Sequence, residues 1–360
     1  MPQDAHDEEQ SSRYQINHYS ALHCRETQEG PTDREPHLIM TSVEQAPILL
    51  LALAVDAAVG DPAWLYRRVP HPVVWFGWLV GALDRSLNHP HQAAISRRAM
   101  GLLTLTLVVA IAGLAGWALQ AGLSAVAGGS ILEALVVSVF LAQNSLYRHV
   151  AAVAQGFTEG GVEAARGAVS LIVGRDPDPL DAAGICRSAI ESLAENFSDG
   201  VVAPAFFYLL GGLPGLLAYK SLNTADSMIG HRTAHYREFG WAAARLDDIA
   251  NFIPARLSAL LISLAAAPLS GASPLAAWRA MSQDAKYHRS INAGWPEAAM
   301  AGALDLRLAG PRFYGGAVVE DAWMGDGRAE AQPEDITRAL LLYGNASLFA
   351  IASVAALIFI

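Results

Sequence analysis

Residues 101 to 127, GLLTLTLVVAIAGLAGWALQAGLSAVA, carry no charged side chain. As a helix the run is long enough to cross the roughly 30 Å of a bilayer's hydrocarbon. Composition supports that setting: the chain is 53% hydrophobic and 16% charged, with mean hydropathy +0.28, where soluble domains carry about a quarter charged residues. Further apolar runs lie at 46–59, 131–142, 201–218, 252–269 and 339–360. Only 101–127 and 339–360 approach the roughly 20 residues that a span requires unaided; the others are short or interrupted. The expected fold is all-α: a polytopic integral membrane protein with about four to six transmembrane or re-entrant helices and polar helical segments on the cytoplasmic side.

Residues 1–39 differ in kind, with three Arg against eight Asp plus Glu and few apolar residues. They read as a polar, disordered N-terminal extension ahead of one membrane domain at 40–360. They lack the basic start and apolar middle of a signal peptide. Met40 stands just before the first apolar run, so the extension is expected to be dispensable or an over-long start. Cys24 and Cys186 provide neither a disulfide framework nor a C-x-x-C spacing.

Of the 24 basic residues only Lys220 and Lys286 are lysines. Arg67, Arg68, Arg85, Arg97 and Arg98 crowd the segment after the first apolar run, which places it in the cytoplasm. Arg148, Arg166, Arg175 and Arg187 bring residues 148–200 back to that side. A full crossing by 201–218 would then put the arginine-rich stretch 220–251 outside. The GGLPG at 211–215 offers another course, a broken segment that returns to the side it left.

ESLAENFSDG, residues 191–200, spaces Glu191, Glu195 and Asp199 four apart, so that on a helix they form one acidic stripe. Such a stripe is either a solvated face or a group of acids turned toward cations. Farther on, Lys220, Asn223, Asp226, Ser227 and His231 recur at intervals of three or four, one polar helix face. Asp247, Asp248, Asn251 and Arg256 stand at the mouth of the next apolar run, with Pro254 marking a break. Ionisable groups at such a boundary are expensive unless paired or used, and hard oxygen donors of this kind suit Mg²⁺. His231 and His235 are four apart but have no adjacent Glu and no third ligand, which disfavours zinc. Neither a G-x-x-x-x-G-K-[ST] nor a G-x-G-x-x-G loop is present.

Some residues keep two readings. Asp56 is an intramembrane site residue or a helix cap, and His71 is structural or substrate-facing. Asp61 before Pro62 reads as an N-cap. Tyr66, Trp64, Trp75 and Trp78 form an interfacial aromatic belt or a surface on which a flat ring stacks.

DAAVGDP at 56–62, HPV at 71–73, GRD at 174–176, ESLAENFSDGVVAP at 191–204, YKSLNTADSMIGH at 219–231, LDDIANFIPARL at 246–257, NAGWPEAAMAGAL at 292–304 and YGG at 314–316 together resemble the adenosylcobinamide-phosphate synthases, the CobD/CbiB family of cobalamin biosynthesis. The resemblance runs from about residue 46 to the C-terminus. It implies a multi-pass enzyme of the cell (inner) membrane, with its active-site segments cytoplasmic. Such an enzyme joins adenosylcobyric acid to an amino-alcohol phosphate, typically (R)-1-aminopropan-2-yl phosphate, by an ATP-dependent amide bond. A carboxylate must be activated before an amine attacks it, most simply as an acyl phosphate made from ATP. On that scheme Glu191, Glu195 and Asp199 are the expected catalytic acids. Asp226, Asp247 and Asp248 are expected to hold Mg²⁺. Lys220, Arg232 and Arg256 are expected on phosphate, with Asn196, Asn223, Asn251, Ser227 and His231 as binding or orienting groups.

The expected partners are the corrinoid and amino-alcohol phosphate substrates, membrane lipid and other enzymes of the pathway; nucleic acid is not expected. Two rival readings are a Mg²⁺-dependent membrane alcohol-phosphate or prenyl transferase, and a transporter of corrinoids or phosphorylated solutes. The transporter calls for an internal repeat of broken helices, and the sequence has one clear break.

Overall fold

A computed structural model describes residues 42–173, 178, 180–314, 317–319 and 321–359. The extension at 1–39, the GRD at 174–176 with its Arg175, and Gly315 and Gly316 of YGG lie outside the described residues. The helices in chain order are α1 (Ser42–Val59), α2 (Ala63–Tyr66), α3 (Pro72–Leu87), α4 (Ala94–Ser124), α5 (Gly129–Val139), α6 (Gln143–Val169), α7 (Ala182–Phe197), α8 (Ala203–Ile229), α9 (Trp241–Ala250), α10 (Phe252–Ala265), α11 (Pro274–Gln283), α12 (Gly294–Leu304) and α13 (Pro333–Ala356). Two short antiparallel ribbons interrupt them: β1 (Leu308–Ala309) with β4 (Trp323–Met324), and β2 (Arg312–Tyr314) with β3 (Ala317–Val319). The protein is an all-α membrane protein, as its composition predicts.

Among the described residues, four helical runs are long and apolar enough to cross a membrane: Ala94–Ser124, Gly129–Val169, Ala182–Ile229 and Pro333–Phe359. A fifth is added if α9 and α10, bent by 45°, count as one broken span. That bend falls at Asn251; Pro254 lies inside the first turn of α10 rather than at the break. On α4, Leu102, Ile111, Leu114 and Trp117 stay exposed. An apolar face of that extent fits lipid rather than water.

The run Ala182–Ile229 is not one rod. As a straight helix it would extend about 72 Å, and Asp199 and Tyr219 would stand about 30 Å apart. Instead the Tyr219 hydroxyl lies 3.3 Å from the Asp199 carbonyl oxygen, and the rings of Phe207 and Tyr219 stack at 4.8 Å. The chain reverses at Gly211 (φ −146°, ψ 20°) and Gly212 (φ 59°, ψ −150°). The positive φ of Gly212 is one that only glycine adopts without strain.

A reversal in an apolar setting frees backbone groups that need partners, and two glutamines meet them. The Gln45 amide, oriented by its surroundings, donates to the carbonyls of Tyr208 (2.9 Å) and Leu209 (2.7 Å) and accepts from Gly212 N–H (3.1 Å). Gln120 Oε1 accepts from Leu213 N–H (3.2 Å). GGLPG is therefore the tip of a helical hairpin whose arms end on the same side.

The returning arm of α8 runs antiparallel along α4. Its tip meets Gly116, where a methyl group would sit 2.6 Å from the Leu213 carbonyl oxygen. Its far end packs Ala225 and Ile229 with Leu105, Val108 and Phe239. One end of α4 thus lies beside residues 229–239, and its other end beside the tip.

This arrangement puts the 230–240 loop and the 125–128 turn at opposite ends of α4, a helix long and apolar enough to cross a membrane. In a background with Cys24 and Cys186 replaced, Thr233→Cys and Val126→Cys should therefore label from opposite sides. The arginine distribution predicts that an impermeant thiol reagent reaches only the Val126→Cys variant in intact cells. Labelling of both from outside would refute the hairpin.

Candidate active site

Between α7 and α8 the backbone makes one π turn, Ser198–Val202. Such a turn shifts the side-chain register, and these turns cluster at functional sites. Here it brings Ser198 and Asp199 to the wall of a cavity of about 570 Å³. Glu195 enters from the last turn of α7, Asp226 from the end of α8, His231 and Arg232 from the following loop, and Arg245, Asp247, Asp248 and Asn251 from α9 and its C-cap. The opposite wall is the loop before α12, with His288, Arg289, Ser290 and Asn292.

Asparagines position the acids. Asn251 Nδ2 donates to Asp247 Oδ2 (2.9 Å), Asn223 Nδ2 reaches Asp247 Oδ1 at 3.4 Å, and Tyr219 donates to Asn251 Oδ1 (2.9 Å). Asn292 Nδ2 donates to the Asp248 carbonyl oxygen (2.8 Å), which ties the facing loop to α9. Asp248 stands 3.7 Å from Arg245. Asp226 has no side-chain hydrogen bond or ion pair among the described residues and lies within electrostatic reach of Asp247, Asp248 and Glu195.

The acidic stripe is thus divided. Glu195 and Asp199 face the cavity, but Glu191 is buried and accepts from Ala309 N–H at 2.8 Å. Ala309 has φ 60°, so Glu191 helps hold a strained turn and does not line the cavity where the catalytic acids were expected. Glu191→Gln keeps the acceptor and should leave turnover near normal. Glu191→Ala should cost about 1–3 kcal/mol of stability for the stranded N–H, with near-normal turnover per folded molecule. Full folding with lost turnover in both variants would restore the catalytic reading.

Other expected groups fall outside the cavity wall. Asn196 Nδ2 donates to Ser192 O (2.9 Å), and Ser227 Oγ donates to Asn223 O (2.9 Å). Arg256 donates to Asn292 Oδ1 (3.1 Å), with its guanidinium 3.6 Å above the Phe252 ring and 4.6 Å from that of Trp295. It positions the loop rather than reaching into the cavity. Lys220 lies within electrostatic reach of Asp199 and of His71. His231 lines the cavity from beyond the end of α8, not from its face.

Near the first motifs, Asp56 accepts from Gln143 N–H (2.7 Å) at the start of α6. His71 caps α3 by accepting from Val73 N–H. Burial holds its imidazole below the usual pKa, against the pull of Asp61 at 3.9 Å.

The facing loop was missed. NAGWPEAAMAGAL begins at Asn292, but the His288, Arg289 and Ser290 that precede it, just ahead of an apolar helix, were the available signal. His288 Nε2 stands 3.5 Å from Glu297 Oε2, and Arg289 3.7 Å from Asp321.

Among the described residues no three His, Cys, Asp or Glu close on one point as a metal cage. The trio Asp226, Asp247 and Asp248 is therefore not a preformed three-carboxylate site. Mg²⁺ is usually held by one or two carboxylates with substrate phosphates, and Asp226 and Asp247 fit that smaller set.

A second cavity of about 380 Å³ adjoins the first, lined by Arg98, Arg237, Glu238 and Trp241 together with the shared Gly230, His231, Arg232, Ala244, Arg245 and Asp248. Hydrogen bonding from Arg98 holds the Glu238 carboxyl below its usual pKa.

A family model described as CobD/Cbib protein matches residues 49–343, a span that includes every wall of both cavities. The chain belongs to the CobD/CbiB family. A relative from Sinorhizobium sp., "Cobalamin biosynthesis protein CobD", is 56% identical over 310 residues, 84% of this chain and 95% of that one. Relatives of the same name from Rhizobium meliloti (52% over 320 residues; 88% and 98% of the two chains) and Rhodobacter capsulatus (46% over 301 residues; 84% and 93%) also align. No solved structure matches the chain. Family membership makes this a cobalamin-biosynthesis protein.

Proposed function

We propose that the chain is the amide-forming ligase of the pathway. It joins adenosylcobyric acid to an amino-alcohol phosphate such as (R)-1-aminopropan-2-yl phosphate at the expense of ATP, giving adenosylcobinamide phosphate at the cytoplasmic face of the inner membrane. The observation that carries this reading is the cavity itself. Glu195, Asp199, Asp226, Asp247 and Asp248 face Arg232, Arg245, Arg289, His231 and His288 in one space, so ammonium and phosphate groups can be held together.

The amine of the acceptor is protonated at neutral pH and must lose that proton to become a nucleophile. Glu195, exposed to the cavity, is placed to take it, while Asp199 behind it keeps the locale attractive to the ammonium. Arg232, Arg245 and Arg289 orient phosphate oxygens by charge-assisted hydrogen bonds. Asn223 and Asn251 fix the Asp247 carboxylate, so little reorganisation is needed as charge moves. Mg²⁺ held by Asp226 and Asp247 would supply neutralising charge at the transferred phosphoryl group.

The test is an assay of the full chain in detergent with both substrates, ATP and Mg²⁺, read by product mass. Adenosylcobinamide phosphate is expected, and omission of ATP or of Mg²⁺ should abolish it. Absence of product from folded protein would overturn the reading, and product formed only with a lipid phosphate would favour a transferase instead.

A further inference from the structure

The two adjoining cavities are oppositely charged. The larger sets five carboxylates against Arg232, Arg245 and Arg289. The smaller sets Arg98, Arg232, Arg237 and Arg245 against Glu238 and Asp248. Within the smaller one, Arg98 and Arg237 share Glu238 at 2.7 and 3.3 Å, while Arg245 leans toward Asp248 at 3.7 Å. Arg232, on the rim common to both, makes no ion pair or side-chain hydrogen bond among the described residues. Trp241 gives the chamber its aromatic surface; the residue is 45% exposed, and the Arg98 guanidinium lies 5.6 Å from the ring centroid.

A ligand that suits this pair of spaces has a polyanionic chain for the arginines, a reactive end for the acidic side, and a flat group for the indole. We infer that the arginine-lined chamber binds a nucleoside triphosphate, with its phosphates on Arg232, Arg237 and Arg245 and its terminal phosphate at the shared rim. The inference rests on the ligase reading for its choice of nucleotide, and it adds the binding place. Arg232 is the group that joins the chambers: uncommitted in the protein, it is available to a phosphate oxygen from either side. The base stacks against Trp241, as bases do on exposed aromatic rings. No phosphate-cradling glycine loop is needed, because a fork of guanidinium groups supplies the donors instead.

Direct binding tests this without turnover. Radiolabelled ATP is equilibrated by dialysis against the detergent-solubilised full chain, with no other substrate. Arg232→Ala and Arg237→Ala are each expected to weaken binding about tenfold or more, the loss of a charge-assisted contact. Arg279→Ala, exposed on α11 and outside both chambers, should bind as wild type does. Both chamber arginines are exposed, so folding should survive, and elution in detergent checks it.

A parallel arm measures retention of phosphatidylglycerol against phosphatidylcholine in nanodiscs. Unchanged ATP affinity in both variants, or a loss of phosphatidylglycerol retention in place of ATP binding, would overturn the inference and mark a headgroup site. Arginine-dependent ATP binding without amide product would leave the chamber assigned and sink the ligase reading. Product formation with ATP binding indifferent to both arginines would do the reverse. A wild type that binds no ATP would end both.

Discussion

Asp226→Asn is expected to lower the turnover number about 100-fold or more, the scale seen when one preorganised electrostatic group is removed, and to raise the Mg²⁺ concentration needed for half-maximal rate. Folded yield and thermal stability should stay the same or rise. The reason lies in its company: Asp226 has no side-chain partner among the described residues, and Asp247, Asp248 and Glu195 are its electrostatic neighbours. Replacing a carboxylate by its isosteric amide relieves like-charge repulsion while removing a hard anionic ligand, the trade of stability for function common at active sites.

Asp247→Asn should behave differently. Its carboxylate accepts from Asn251 and Asn223, so the change sets amide donors against an amide and should cost stability as well as rate. Turnover over a Mg²⁺ titration, beside elution after heating in detergent, checks both variants. Normal turnover by Asp226→Asn at ordinary Mg²⁺ would show that the acid is no ligand.

Gly116→Val should nearly abolish recovery of folded protein. The tip of the α8 hairpin sits against Gly116 so closely that even a methyl group would lie 2.6 Å from the Leu213 carbonyl oxygen. Relief requires moving backbone rather than a flexible side chain. Overpacking of this kind costs about 3 kcal/mol, and here it also pulls Leu213 N–H from Gln120, which leaves a polar group facing an apolar interior. Gln120→Leu isolates that second part and should cost about 1–3 kcal/mol. Yield and heat resistance in detergent rank the variants; a Gly116→Val protein as robust as wild type would mean that the arm does not dock on α4.

The link to function is direct. The same hairpin carries Asp199 at the start of one arm and Asp226 at the end of the other, so a tip that fails to seat should loosen the cavity about 20 Å away, the length of an arm of roughly 13 residues. Loss of turnover should therefore accompany partial destabilisation in Gln120→Leu.

Much of this protein was legible in its amino-acid order because the relevant physics is local. Uncharged runs can be stable only in lipid or in a deep core. A Gly-Gly-Leu-Pro-Gly stretch inside one of them marks a break, since Gly212 tolerates a positive φ that side chains resist. The motifs around Asp199, Asp226 and Asp247 could be read as one polar locale for the same reason: ionisable groups beside apolar runs must be paired or used.

Only the tertiary structure decided which members of each pattern share a space. A four-residue spacing makes Glu191 and Glu195 neighbours on a helix, yet 40° of rotation turns one to the Ala309 turn and the other to the cavity, and the π turn then re-aims Asp199. Arg256 and Asn196 were sound candidates by residue type, but Arg256 is engaged with Asn292, the Asn196 amide nitrogen donates to Ser192, and neither lines the cavity. The facing loop, His288 to Asn292, lies some 40 residues beyond Asp248 in the chain and is brought to it by α10 and α11. No periodicity within one segment carries such a distance. Which side chains meet across a cavity depends on how the helices pack, and packing is settled by contacts between residues remote in sequence.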